Sequence, residues 1–240
     1  MIVLRLGCTD NEVMKYFLLT LLFFSCLPVY AQELEPKKSK RTCRLVFPER
    51  PNNAPKIVCL FDGKENQKVF LPSMNFSKVI SLPKGDITIM MAKNEITDLE
   101  NLPKGAPILK IPETVKDFYI LVTPDPSNKN LPVKMNLVNA GDGKLVPGKT
   151  LWFNLTKHRI VANLGKSKMM VDPKGWSITD GPLPQSGYYR AEFGYQVEAK
   201  GKARRITEQQ WWHDVNSRHL GFIVSSGGRL PKIFFFRDFR

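Results

Sequence analysis

The side chains best suited to chemistry cluster near one end of the chain. Trp211, Trp212, His213 and Asp214 are consecutive, and Arg218 and His219 follow closely. On a β-strand, where side chains alternate between faces, Trp211 and His213 share one side while Trp212 and Asp214 share the other. An indole left exposed on a β surface is a stacking platform for the C–H face of a sugar ring, with flanking polar groups taking the hydroxyls. The plainer reading puts one Trp in the core and the other over a strand edge, because large aromatics are mostly buried.

Other chemistries find less support. His213 and His219 lie six apart with His158 distant, and neither HExxH nor paired CxxC is present, so no metal site and no cofactor is expected. There is no GxSxG, and Ser225-Ser226 sits in a Gly-rich turn, which reads as loop chemistry. Asp142, between Gly141 and Gly143, is a lone carboxylate where a calcium loop needs several. Carboxylates for glycoside hydrolysis need only meet in space, and no pair stands out among the 22 acidic residues. The expectation is a protein without catalytic residues, with a glycan-acting hydrolase as the least favoured alternative.

Charge points to the class of partner. The net charge is +14, which favours an anionic envelope component or an acidic protein partner. Arg190, Arg204, Arg205, Arg218, Arg229, Arg237 and Arg240 enrich the C-terminal half in a side chain that grips carboxylate or phosphate bidentately. The candidate binding surface is therefore Trp211, Trp212, His213, Arg218, His219 and Arg190. A carbohydrate-binding module for an envelope or extracellular glycan is the alternative.

The start of the chain reads as an export signal. Met14-Lys15 opens a segment with an apolar core at residues 16–24, and Val29-Tyr30-Ala31 has the small residues that a signal peptidase requires. Residues 1–31 are read as a signal peptide with its true start at Met14, cut after Ala31, and residues 32–40 as a flexible basic leader. The protein is then periplasmic or extracellular, and nucleic acid is not an expected ligand. A lipid anchor on Cys26 is disfavoured by the bulky Phe23-Phe24 before it. Nothing later approaches the ~20 apolar residues of a transmembrane helix. Cys43 and Cys59 lie in two strand-like runs separated by a turn-rich PERPNNAP. If those runs pair as a hairpin, an oxidising compartment closes the cysteines into a disulfide.

The elements that must position these groups are short, extended and punctuated by Gly and Pro. Runs at 41–47, 56–61, 68–71, 78–82 and 87–91 are bounded by turn residues. Residues 92–101 read as a short helix or a loop. The Pro-rich stretch 102–116 is the expected boundary between an N-terminal β module (41–112) and a C-terminal β-sandwich module (113–240). Beyond it, residues 118–123 are apolar on both faces, 150–155 and 158–164 could pair as a hairpin, and 189–197 alternate strictly. The last pair, 219–224 and 232–236, reads as a closing hairpin, and the run from Ile233 to Phe236 looks too apolar for an open surface. The fold class is all-β, an antiparallel β-sandwich of two packed modules.

Gly148–Gly165 (GKTLWFNLTKHRIVANLG), Ser186–Tyr195 (SGYYRAEFGY), the C-terminal run and the FDG…LPS…LPKG pattern from Phe61 to Gly85 together resemble a family of small exported bacterial proteins of uncharacterised function. The resemblance implies a β-sandwich envelope protein and transfers no functional residue. The expected function is that of an exported, non-catalytic envelope protein binding a macromolecular partner through a basic, aromatic β surface.

Overall fold

A computed structural model describes residues 41–51, 54–73, 75–141, 143–197, 201–228 and 230–239. The segments read as signal peptide and leader, with the expected start and cleavage point, and Asp142, Arg229 and Arg240 lie outside the described residues. The strands are β1 (Arg41–Val46), β2 (Ile57–Phe61), β3 (Asn66–Phe70), β4 (Ile80–Leu82), β5 (Ile87–Ala92), β6 (Ile108–Ile111), β7 (Asp117–Pro124) and β8 (Val133–Asn139). They continue with β9 (Thr150–Asn154), β10 (Arg159–Leu164), β11 (Ser167–Val171), β12 (Trp176–Thr179), β13 (Gly187–Gln196), β14 (Arg204–His213), β15 (Arg218–Val224) and β16 (Lys232–Asp238). All sixteen belong to one compact unit.

The strands form four sheets, ordered β3-β2-β5-β6, β4-β1-β7-β8, β12-β9-β15-β16 and β11-β10-β13-β14, which we call C, A, D and E. Pairing is antiparallel except for β1 with β7 and β9 with β15. Adding eight to each strand number turns sheet A into D and sheet C into E. The chain is thus a tandem duplication of an eight-strand sandwich, divided at residues 140–149. The stretch 102–116 supplies β6 and leads into β7.

Three apolar layers hold the sheets in the order C, A, D, E. The first layer joins Val58, Leu60, Ile89 and Ile111 of sheet C to Leu45, Phe118, Ile120 and Val122 of sheet A. The second joins the opposite face of A, through Val46, Tyr119 and Leu121, to Leu151, Phe153, Leu220 and Phe222 of D. The third joins Trp152 and Ile223 of D to Ile160, Met169, Tyr189, Ala191 and Phe193 of E. The two middle sheets are therefore covered on both faces. That is why β7 is a continuous apolar run and why every residue of β15 is buried. In outer sheet E, β13 keeps its inside-outside alternation. The run from Ile233 to Phe236 also touches two cores, with Phe234 and Phe236 toward A and Ile233 and Phe235 toward E. It does so from an edge strand, so most of it is only half-buried.

Two local features fix the layers. Gly221 stands beside Trp152 in the parallel β9–β15 register, and a Cβ there would lie 2.1 Å from Trp152 Cε3, so the indole packs flat on bare backbone. Asp238, fully buried at the end of β16, accepts from Arg44 Nη1 at 2.9 Å and from the Tyr119 hydroxyl at 2.5 Å, tying D to A. Arg218 of sheet D makes a second ion pair across the same layer, with Asp117. Removing one partner of such a buried pair typically costs about 3–5 kcal/mol.

The expected disulfide is not formed. Cys43 lies in β1 of sheet A and points into the first core, whereas Cys59 lies in β2 of sheet C. β1 and β2 do not pair, because they belong to different sheets, A and C. Cys59 alternates with Val58 and Leu60, which face Cys43, so its thiol points to the far side. Burial pushes that thiol up, as for an inert structural cysteine. The hairpin read for 150–155 and 158–164 fails for the same reason. β9 pairs with β12 and β15, while β10 pairs with β11 and β13. Asn154 turns the chain between the layers, its side-chain amide donating to the carbonyls of His158, Val171 and Asp172. Residues 92–101 form loop and bends.

Candidate binding surface

Strands β13 and β14 run antiparallel in sheet E, and their register decides which side chains face water. Tyr189 stands opposite Trp211 and Tyr188 opposite Trp212. Because β13 buries its odd-numbered residues, Trp211 turns inward with Tyr189 while Trp212 turns outward with Tyr188. Trp211 packs on Phe235, Phe193 and Trp152, with ring centroids 5.0, 5.2 and 6.2 Å away. Trp212 is 42% exposed and Tyr188 69%, and the two rings meet edge to face at 5.0 Å. This is an exposed aromatic pair on an open sheet face.

The six residues singled out from sequence therefore divide. Trp212 and Arg190 lie on the outer face of sheet E. Trp211 belongs to the third core, His213 and His219 are buried beside it, and Arg218 is buried in its ion pair with Asp117. The two imidazoles face each other with centroids 5.9 Å apart, and His219 also stacks on Phe235 at 4.9 Å. Both ring nitrogens of His219 and Nε2 of His213 have no hydrogen-bond partner. Burial, reinforced by the neighbouring His213, lowers the pKa of His219 to about 4, and burial lowers that of His213 as well. Asp214 is held below the usual carboxylate range, first by the Ser217 hydroxyl and then by the Asn216 amide. Among the described residues no group of three or more His, Cys, Asp or Glu is placed to hold a metal ion. As for the remaining tryptophans, Trp152 is fully buried and Trp176 is exposed on β12 of sheet D, away from this face.

The outer face of sheet E also carries residues that the sequence did not single out. Arg190 pairs with Glu192 and with Glu208, the latter at 2.6 Å, and Arg205 pairs with Glu208 at 2.9 Å. Asn163 donates to Glu192 at 3.2 Å and, ahead of Arg190, lowers the pKa of that carboxyl. Glu192 and Glu208 stand directly opposite each other in the β13–β14 register, so two carboxylates do meet here. A glycosidase acid, however, needs a raised pKa, and the Glu192 carboxyl is shifted the other way. Beside this network lies an open depression of about 450 Å³ lined by Val161, Met170, Gly194, Lys168 and Arg205. It sits at a β-bulge between Phe193 and Gly194. A side chain at Gly194 would press on the Arg204 carbonyl at 3.1 Å. The face offers, in order along β13, an aromatic pair, an ionic band and a shallow apolar hollow with a basic rim.

No family model matches the chain. No curated protein matches it either. Among solved structures, the Bacillus anthracis TIE protein is similar over 78% of this chain and 36% of its own, at 10% sequence identity and a TM-score of 0.24. This chain thus spans little more than a third of that protein, and a likeness at that score carries nothing over to it. The described residues contain no helix long and apolar enough to cross a membrane.

Proposed function

We propose that the protein is an exported, non-catalytic binding protein of the cell envelope that holds an anionic macromolecular partner on the outer face of sheet E. The observation that carries this reading is the exposed Tyr188–Trp212 pair on the same face as Arg190, Lys168 and Arg205. Exposed aromatic rings at one end and cations along the strands suit a long ligand lying across the sheet, with ring contact for grip and charge for steering. The net charge of +14 favours the same class of partner. Arg190 is already paired with Glu192 and Glu208, so among the described residues the cation of this face left without a glutamate pair is Lys168 at the rim of the hollow.

Heparin, as a polyanionic glycan, and polyglutamate, as an acidic polypeptide, are suitable probes. The wild type is expected to bind at least one of them, and Tyr188→Ala with Trp212→Ala and Lys168→Glu to weaken that binding about tenfold or more without loss of fold. Equal binding by wild type and the triple variant would remove the sheet E face from consideration. A second reading, a carbohydrate-binding module, is favoured by the aromatic pair itself. It requires retention on a neutral polysaccharide that Trp212→Ala alone abolishes.

A further inference from the structure

The duplication allows one half to be compared with the other. In the first sandwich the edge strands β6 and β8 close against each other, and Leu109, Ile111, Val133 and Met135 are buried between them. Their counterparts in the second sandwich are β14 and β16, which do not close in this way. Between them lies an open slot of about 600 Å³. Its wall and floor include Ile206, Trp211 and Ile233, with Phe235 behind them, and all four are only half-buried. β14 is ten residues long and pairs only with β13, and β16 pairs only with β15, so each presents one open backbone edge. Open edges are normally blunted by shortness, bulges or charge; β14 has its bulge and its charges, Arg204, Arg205 and Glu208, in its first half, and from Gln209 to Trp212 it carries no charge.

We propose that this slot takes an extended acidic segment of a partner protein, added as a further strand along β14 with alternate apolar side chains seated between Trp211 and Ile233. An added strand satisfies the open backbone groups of the edge, and its side chains fall on one face every second residue, the spacing that a slot between two sheets reads. The sign of the occupant follows from the rim. Lys232 lines the slot and is exposed, and exposed Arg204 lies on β14 two residues before the lining Ile206, opposite inward-facing Tyr195. The one acid of β14, Glu208, is already held by Arg190 and Arg205. A second copy of this chain would bring the same cations and a net charge of +14 to the same place. The slot opens between two sheets, away from the Tyr188–Trp212 face, so this inference stands independently of the proposed function.

The test uses a synthetic seven-residue peptide that alternates Asp or Glu with Val or Ile. Two controls accompany it, one of the same composition in scrambled order and one with Lys for each acid. Binding is followed by tryptophan fluorescence and located by amide hydrogen exchange. The alternating peptide is expected to bind and to slow exchange along Arg204–His213. Arg204→Glu with Lys232→Glu, both exposed and therefore tolerated by the fold, is expected to weaken it about tenfold or more, while Lys110→Glu on distant β6 leaves it unchanged. No binding up to about 1 mM, equal binding of the scrambled peptide, or protection that spares β14 would each overturn the proposal. Sedimentation showing a dimer whose β14 amides are protected without peptide would overturn it too, in favour of self-pairing.

Discussion

Protonating His219 should undo much of what the third core contributes. Its imidazole is completely buried, stacked on Phe235 and facing His213, with neither ring nitrogen hydrogen-bonded. Burial drives the shift and His213 and Arg237 add to it, Asp214 and the Lys149 backbone oppose it, and the pKa falls from the ordinary 6.5 to about 4. The unfolded chain therefore binds the proton first. Stability is full above pH ~6.5 and is lost as pH falls toward ~4, because the unfolded state takes up more protons over that window. At about 1.36 kcal/mol per unit of difference, the loss between pH 7 and pH 4.5 is roughly 2–3 kcal/mol from this residue. His219→Leu keeps an apolar side chain against Phe235 and removes the titration. Urea unfolding of both proteins at pH 7 and pH 4.5 isolates the term, since the carboxylates titrate in both. The acid-induced drop should be smaller in His219→Leu by about 2 kcal/mol or more, and more still if His213 shifts with its neighbour. Drops that agree within about 0.5 kcal/mol would mean that the ring is solvated or paired, and the reasoning would fail.

Four further outcomes test the architecture. Gly221→Ala should destabilise by about 3 kcal/mol or more in a thermal or urea melt, since its methyl would meet the Trp152 ring. Trp211→Ala should cost about 2–4 kcal/mol, whereas Trp212→Ala should stay within about 1 kcal/mol, which separates a core ring from a surface ring by stability alone. Asp238→Ala strips the carboxylate from Arg44 and Tyr119 and should cost about 3–5 kcal/mol, loosening sheet A from sheet D in hydrogen exchange. Thiol labelling of Cys43 and Cys59 should be slow in the native protein and complete in urea, and non-reducing mass spectrometry should find them unjoined.

Period two carried most of what could be read in advance. β13 alternates because one of its faces is wet, and β7 does not because it lies in a middle sheet, but the equally apolar run 233–236 lies on a half-buried edge strand. Pairing partners were not legible. Nothing in RTCRLVF or TLWFNL says whether the next run lies beside it or one layer away, and the Cys43–Cys59 bridge and the β9–β10 hairpin both failed on that point. A faint sign of the duplication was present, since Leu131-Pro132 and Leu230-Pro231 each lead directly into the last strand of a sandwich. It was weak because packing constrains only the apolar pattern, which many strands share. In the binding surface, the split of Trp211 from Trp212 follows from alternation, but which of the two faces outward depends on β13. His219 and Arg218 looked like surface groups because a buried imidazole or guanidinium is recognised only by what surrounds it.

The middle core joins the two halves through a shared apolar wall where a tether might have been. With sheets stacked about 10 Å apart, the three intervening gaps set the planes of the outermost sheets roughly 30 Å from each other. Separating the halves by cutting within residues 140–149 would bare Tyr119, Leu121, Phe153 and Phe222 to water, so neither is expected to be a well-behaved monomer alone.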